Sequence, residues 1–139
     1  MLQAAKQYLK GLVVGGLVDL TGGSLELNYN LVTTQTKTFV AADCGKIWMA
    51  SYAGSSTFTL PANTSAKAGR FLLIGQTVGQ DLTIATATAD TLLTLNDLAA
   101  DSIAFSTGSY KIGALALILG IGGQWAAFCL SNATMTVNT

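Results

Sequence analysis

From Ser24 to the end of the chain, short runs of apolar and β-branched residues are cut by turn residues every 8–12 positions or so, with no helical period between them. Leu25, Leu27 and Tyr29 alternate with Glu26 and Asn28, which gives one face to a core and one to polar surroundings. Val32 to Val40 reads as a long strand, and Ile47 to Tyr52, Thr57 to Leu60, Phe71 to Ile74 and Leu82 to Ile84 as shorter ones. Thr91 to Leu95, Ser102 to Phe105, a long run from Tyr110 to Ile121, Gln124 to Leu130 and a final edge at 134–137 complete the series. Roughly eight to ten short strands with this turn spacing predict an all-β fold, an antiparallel sandwich or barrel of jelly-roll-like kind. No repeat of fixed period is present, which argues against propellers and solenoids.

The first 24 residues are patterned differently. Leu2, Ala5 and Leu9 stand three and four apart, as on one face of a two-turn helix too short to be stable unless docked. Gly11, Gly15-Gly16 and Gly22-Gly23 then interrupt an apolar stretch. Residues 1–24 are therefore expected to be an N-terminal arm and residues 25–139 the β-domain. Leu2, Leu9, Leu12 and Val13 are the arm's candidate interaction residues, since an apolar arm of this kind either packs on its own domain or reaches a neighbour. Lys6 and Lys10 precede the apolar run at 12–18 as in a secretory leader, but Gly15 and Gly16 break it. Asp19 follows without an Ala-x-Ala site, so this start is expected to belong to the mature protein.

A chain of 139 residues suffices for one domain with its own core. Half its residues are apolar and 10% are charged, against about 25% in ordinary soluble domains. Such a bare surface suits a permanent interface and points to a homo-oligomer. Seven basic residues balance seven acidic ones. Residues 1–70 hold six of the basic groups and three of the acidic, but no basic run is interleaved with aromatics, so nucleic acid is not an expected partner. The most apolar run, Ile112 to Ile121, is about half of what a membrane-spanning helix needs, and a membrane is not expected either.

Chemistry is sparse. The chain has no histidine, which removes the commonest general base and metal ligand and makes a Ser-His-Asp triad impossible. Cys44 and Cys129 lie far apart, in no zinc-binding spacing, and are expected to be unlinked thiols. Asp97 and Asp101, with Asn96, are the only close acids; they lack the flanking ligands of a calcium loop and read as a hydrated turn. Gly120-Ile121-Gly122-Gly123 sits between two strands, where a hairpin is expected rather than a phosphate loop. Trp48 and Trp125 lie in apolar strands and read as core residues. Neither catalysis nor a cofactor or metal is expected.

The order of turns and strands from residue 38 to 131 resembles the small head decoration, or cement, proteins of tailed bacteriophages and related phage virion β-domains. The resemblance rests on Ala41-Ala42-Asp43-Cys44-Gly45-Lys46 entering a strand, Leu60-Pro61 ending one, and Gly69-Arg70-Phe71-Leu72 opening the next. Ile112-Gly113 leads into a long apolar strand, and Gly122-Gly123-Gln124-Trp125 forms the closing hairpin. The chain departs from the pattern at Ala114, where an aspartate is common, and at Gly122-Gly123, where Asp-Gly is common. The resemblance implies a non-enzymatic structural protein of the virion, made in the host cytoplasm and placed on the capsid surface. It also implies a trimer whose partner is the major capsid protein. The alternative is a carbohydrate-binding sandwich, on a tail fibre or secreted, with Tyr52, Tyr110 and the tryptophans as candidate platforms. A histidine-free hydrolase is a third, weaker reading.

Overall fold

A computed structural model describes residues 26–106, 111–131 and 135–139. The chain is an all-β sandwich. One sheet has seven strands, in the order β1 (Tyr29–Val32), β3 (Ile47–Ala50), β5 (Phe71–Gln76), β10 (Leu115–Gly120), β11 (Trp125–Cys129), β7 (Leu92–Thr94) and β8 (Asp97–Ala100). The other has five, in the order β12 (Thr136–Asn138), β9 (Ser102–Phe105), β6 (Leu82–Ala85), β4 (Ser56–Thr59) and β2 (Thr36–Thr38).

The pairing is mixed, which corrects the antiparallel expectation. β1, β3 and β5 run parallel in one sheet, and β2, β4 and β6 run parallel in the other. From β1 to β6 the chain alternates between sheets, so each parallel crossover is itself a strand of the opposite layer. This is a three-coil winding of solenoid kind, which the sequence analysis argued against. Its coils are unequal: 18 residues separate Tyr29 from its partner Ile47, and 26 separate Ile47 from Leu73, so no fixed period marks it. Antiparallel pairs then extend both layers, β5–β10–β11 in one sheet and β6–β9–β12 in the other, and β7 joins β11 in parallel with β8 antiparallel beside it. Among the described residues each sheet keeps two ends, so the strands do not close into a barrel.

Alternation supplies the core. Leu72 and Ile74 on β5, Ile118 on β10 and Trp125 on β11 turn inward against Phe58, Ile84, Ile103 and Phe105 of the five-stranded sheet, all of them buried. Burying an aliphatic or Phe side chain of this kind contributes about 1.5–3 kcal/mol, which makes this contact the main source of stability. Two expected segments differ. The long strand at 32–40 is divided, because Val32 ends β1 in one sheet and Thr36 starts β2 in the other. The expected Asp97–Asp101 loop is mostly a strand, β8, paired with β7 through Leu92–Ala100 and Thr94–Asp97. Gly122 and Gly123, with φ of +92° and +106°, form the expected hairpin between β10 and β11.

Candidate interaction surface

The motifs behind the resemblance all lie at turns. Ala41–Asp43 is a short 3-10 turn carrying the chain from β2 across to β3. Lys37, on β2, points inward and binds Asp43 Oδ2 at 3.2 Å, its Nζ lying 4.8 Å from the Trp48 ring centroid. The backbone N–H of Val40 donates to the same carboxylate at 3.0 Å, and Trp48 Nε1 donates to the Asp43 carbonyl at 3.0 Å. Phe39 meets Trp48 edge-on at 5.4 Å and Phe58 at 5.6 Å. Trp48 is thus half-buried under lysines rather than fully in the core, and its contacts secure a corner.

Leu60-Pro61 follows β4, Gly69-Arg70 precedes β5 and Ile112-Gly113 precedes β10. The 61–69 loop is joined to the β10–β11 hairpin, since the Ala66 carbonyl accepts from both Gly122 and Gly123 N–H at 3.0 Å.

Chemical groups are dispersed. Among the described residues no three His, Cys, Asp or Glu side chains gather as a metal site, and no helix is long and apolar enough to cross a membrane. Asp97 Oδ1 accepts from the Ala99 N–H two residues on, whereas Asp101 Oδ1 accepts from the N–H of Asp90 in the loop before β7, so the two acids bond different backbone segments. Cys44 and Cys129 form no disulfide with one another; the Cys129 thiol lies 3.2 Å from the Ser131 carbonyl. Burial pushes the Cys44 thiol above its ordinary pKa. Asp43 adds to the rise, while Arg70 and Lys46 oppose it. Leu2, Leu9, Leu12 and Val13 lie outside the described residues, as does Tyr110.

What the sequence reading missed is the contrast between the two outer faces. On the five-stranded sheet, the outer positions align as Thr36, Thr57, Thr83, Ala104 and Thr136, beside Thr38, Thr59, Ala85, Ser102 and Asn138. That face is polar and uncharged. On the seven-stranded sheet, one outer row reads Tyr29, Ile47, Leu73, Leu117 and Phe128 across five strands. The next reads Leu31, Met49, Gly75 and Leu115, with the Leu130 N–H donating to the Leu115 carbonyl at 2.9 Å. Tyr29 and Leu31 are 58% and 50% exposed at one rim, and Phe128 and Leu130 are 44% and 54% exposed at the other. The alternation of each strand was legible, but the registry that assembles a face from four distant segments was not. Contiguous apolar surface of this kind marks interaction sites on soluble proteins.

No protein-family model matches the chain, and no curated protein matches its sequence.

Proposed function

We propose that the chain is a structural virion protein of a tailed bacteriophage, a decoration or cement protein that binds the assembled head and bridges its capsomers as a trimer. The observation that carries this reading is the pairing of one apolar outer face with one threonine-rich face on a rigid sandwich. Such a protein works through its surfaces. The resemblance in turn order, from Ala41–Lys46 to Gly122–Trp125, supplies the particle context. Mechanistically, a protein that binds assembled shell but not its separated subunits stabilises the shell by RT ln(1 + [L]/Kd) per site. Binding across capsomer boundaries through several subunits multiplies the effect.

The test uses assembled heads and dissociated capsid subunits produced from the genes neighbouring this one. The protein should co-sediment with heads, leave free subunits in solution and raise the temperature at which heads open. Binding to host glycans or isolated tail fibres, with none to heads, would replace this reading with the carbohydrate-binding one. Deleting residues 1–16 should leave the β circular dichroism signal intact and weaken head binding or oligomerisation, if Leu2, Leu9, Leu12 and Val13 act as expected.

A further inference from the structure

We propose that buried water occupies one end of the core and bridges the Gln76 amide on β5 to the Ser56 hydroxyl on β4. This internal site is separate from the outer faces and does not depend on the decoration role.

Both side chains point inward. Gln76 follows Leu72 and Ile74 on the inner side of β5 and is 1% exposed. Ser56 shares the inner side of β4 with Phe58 and is 4% exposed. Topology brings the two to the same end of the sandwich, on opposite layers. Ala50 ends β3 just before the crossover to Ser56; its lateral partner Gln76 ends β5 just before the crossover to Leu82, the lateral partner of Ser56. The Ser56 N–H donates to the Asp81 carbonyl at 2.8 Å, and the Gly113 N–H donates to the Gln76 carbonyl at 2.9 Å. An ion pair between Asp81 and Lys111 joins these two flanking segments across the layers.

Three polar atoms are left over there. Among the described residues four buried side-chain atoms have no hydrogen-bond partner, and Gln76 Oε1, Gln76 Nε2 and Ser56 Oγ are three of them. The fourth, Asn63 Oδ1, belongs to the 61–69 loop. A buried polar group without a partner loses its hydration uncompensated, and native cores hold few of them. Three at one end call for a shared ligand.

Their chemistry selects it. The amide offers two donors and an acceptor, and the hydroxyl both donates and accepts. A cation would satisfy only the two oxygens, and an anion only the N–H and O–H groups. Water donates and accepts, so it can meet all three atoms, one molecule joining Ser56 Oγ to the amide and a second serving the remaining amide atom. Space is provided by small neighbours: Gln76 lies between Ala50 on β3 and Ala114 at the head of β10, each 1% exposed. Buried waters in proteins occupy polar sites of this kind, where otherwise unsatisfied groups converge.

A high-resolution crystal structure of the full chain tests this, together with a double-mutant cycle of Gln76→Leu, Ser56→Ala and the pair, read by urea unfolding. The crystal structure should show a water within hydrogen-bond distance of both Ser56 Oγ and the Gln76 side chain. In the cycle, the joint change in the folding equilibrium constant should differ from the product of the single changes by about threefold or more. A direct Gln76–Ser56 hydrogen bond, a dry site, or an ion in place of water overturns the proposal. Single changes that simply multiply overturn it as well, because a shared water couples the two residues. If Gln76→Leu does not fold, the wild-type crystal structure decides.

Discussion

Trp125 Nε1 donates a hydrogen bond of 2.8 Å to the carbonyl of Pro61, a residue 64 positions earlier in the chain. The indole is fully buried, so this bond ties the loop after β4 to the closing hairpin inside the core. Trp125→Phe keeps most of the packing but leaves the Pro61 carbonyl without that donor. The expected cost is about 1–3 kcal/mol, read as a lower urea midpoint at unchanged slope. A midpoint equal to wild type would mean that water replaces the indole without loss.

The β7–β8 hairpin turns through Leu95 and Asn96, with φ of +40° and +68°. A leucine in the left-handed region is strained by roughly 1 kcal/mol, and the side chain is exposed, so it gains little in return. Replacing the pair with Asn-Gly, through Leu95→Asn and Asn96→Gly, should raise stability by about 0.5–1 kcal/mol and increase the melting temperature. A lower melting temperature would show that Leu95 makes a compensating contact.

Gly75 occupies the apolar face between Met49 and Leu115. A Cβ there would lie 2.4 Å from the Ala114 carbonyl oxygen and 3.0 Å from Met49 Sδ. Backbone, unlike a flexible side chain, cannot withdraw easily. Gly75→Ala should therefore destabilise the fold by about 1–3 kcal/mol despite adding an apolar group. Thermal unfolding checks this directly, and a neutral result would indicate that β5 and β10 separate freely at this register.

The Cys44 thiol holds its proton more tightly in the folded chain than in the unfolded one, chiefly because burial disfavours the thiolate. Its contribution to stability is thus fully present below the ordinary thiol value of about 8.5 and is lost as pH rises through the folded-state value. Between those limits wild type should lose stability relative to Cys44→Ala, as measured by urea midpoints across pH. Alkylation of Cys44 should likewise show a midpoint above that of an exposed thiol. A midpoint at or below the ordinary value would mean that Arg70 and Lys46 outweigh the burial.

By itself the sequence determined the all-β class, most strand positions and the closing hairpin, because alternation and glycine placement act over neighbouring residues. Ile47–Ala50 and Trp125–Cys129 fall within expected strands, and the strand expected at Phe71 to Ile74 continues to Gln76. Only the tertiary structure decided that β1, β3 and β5 run parallel, since a strand carries the same alternation whichever way its neighbour runs. The Leu95-Asn96 turn was illegible because leucine is not a turn residue; the paired strands hold it in an unfavourable conformation. The apolar face was hidden for a related reason. Tyr29, Ile47, Leu73, Leu117 and Phe128 are spread over a hundred residues, and only hydrogen-bond registry, set by packing between the two sheets, places them in one row.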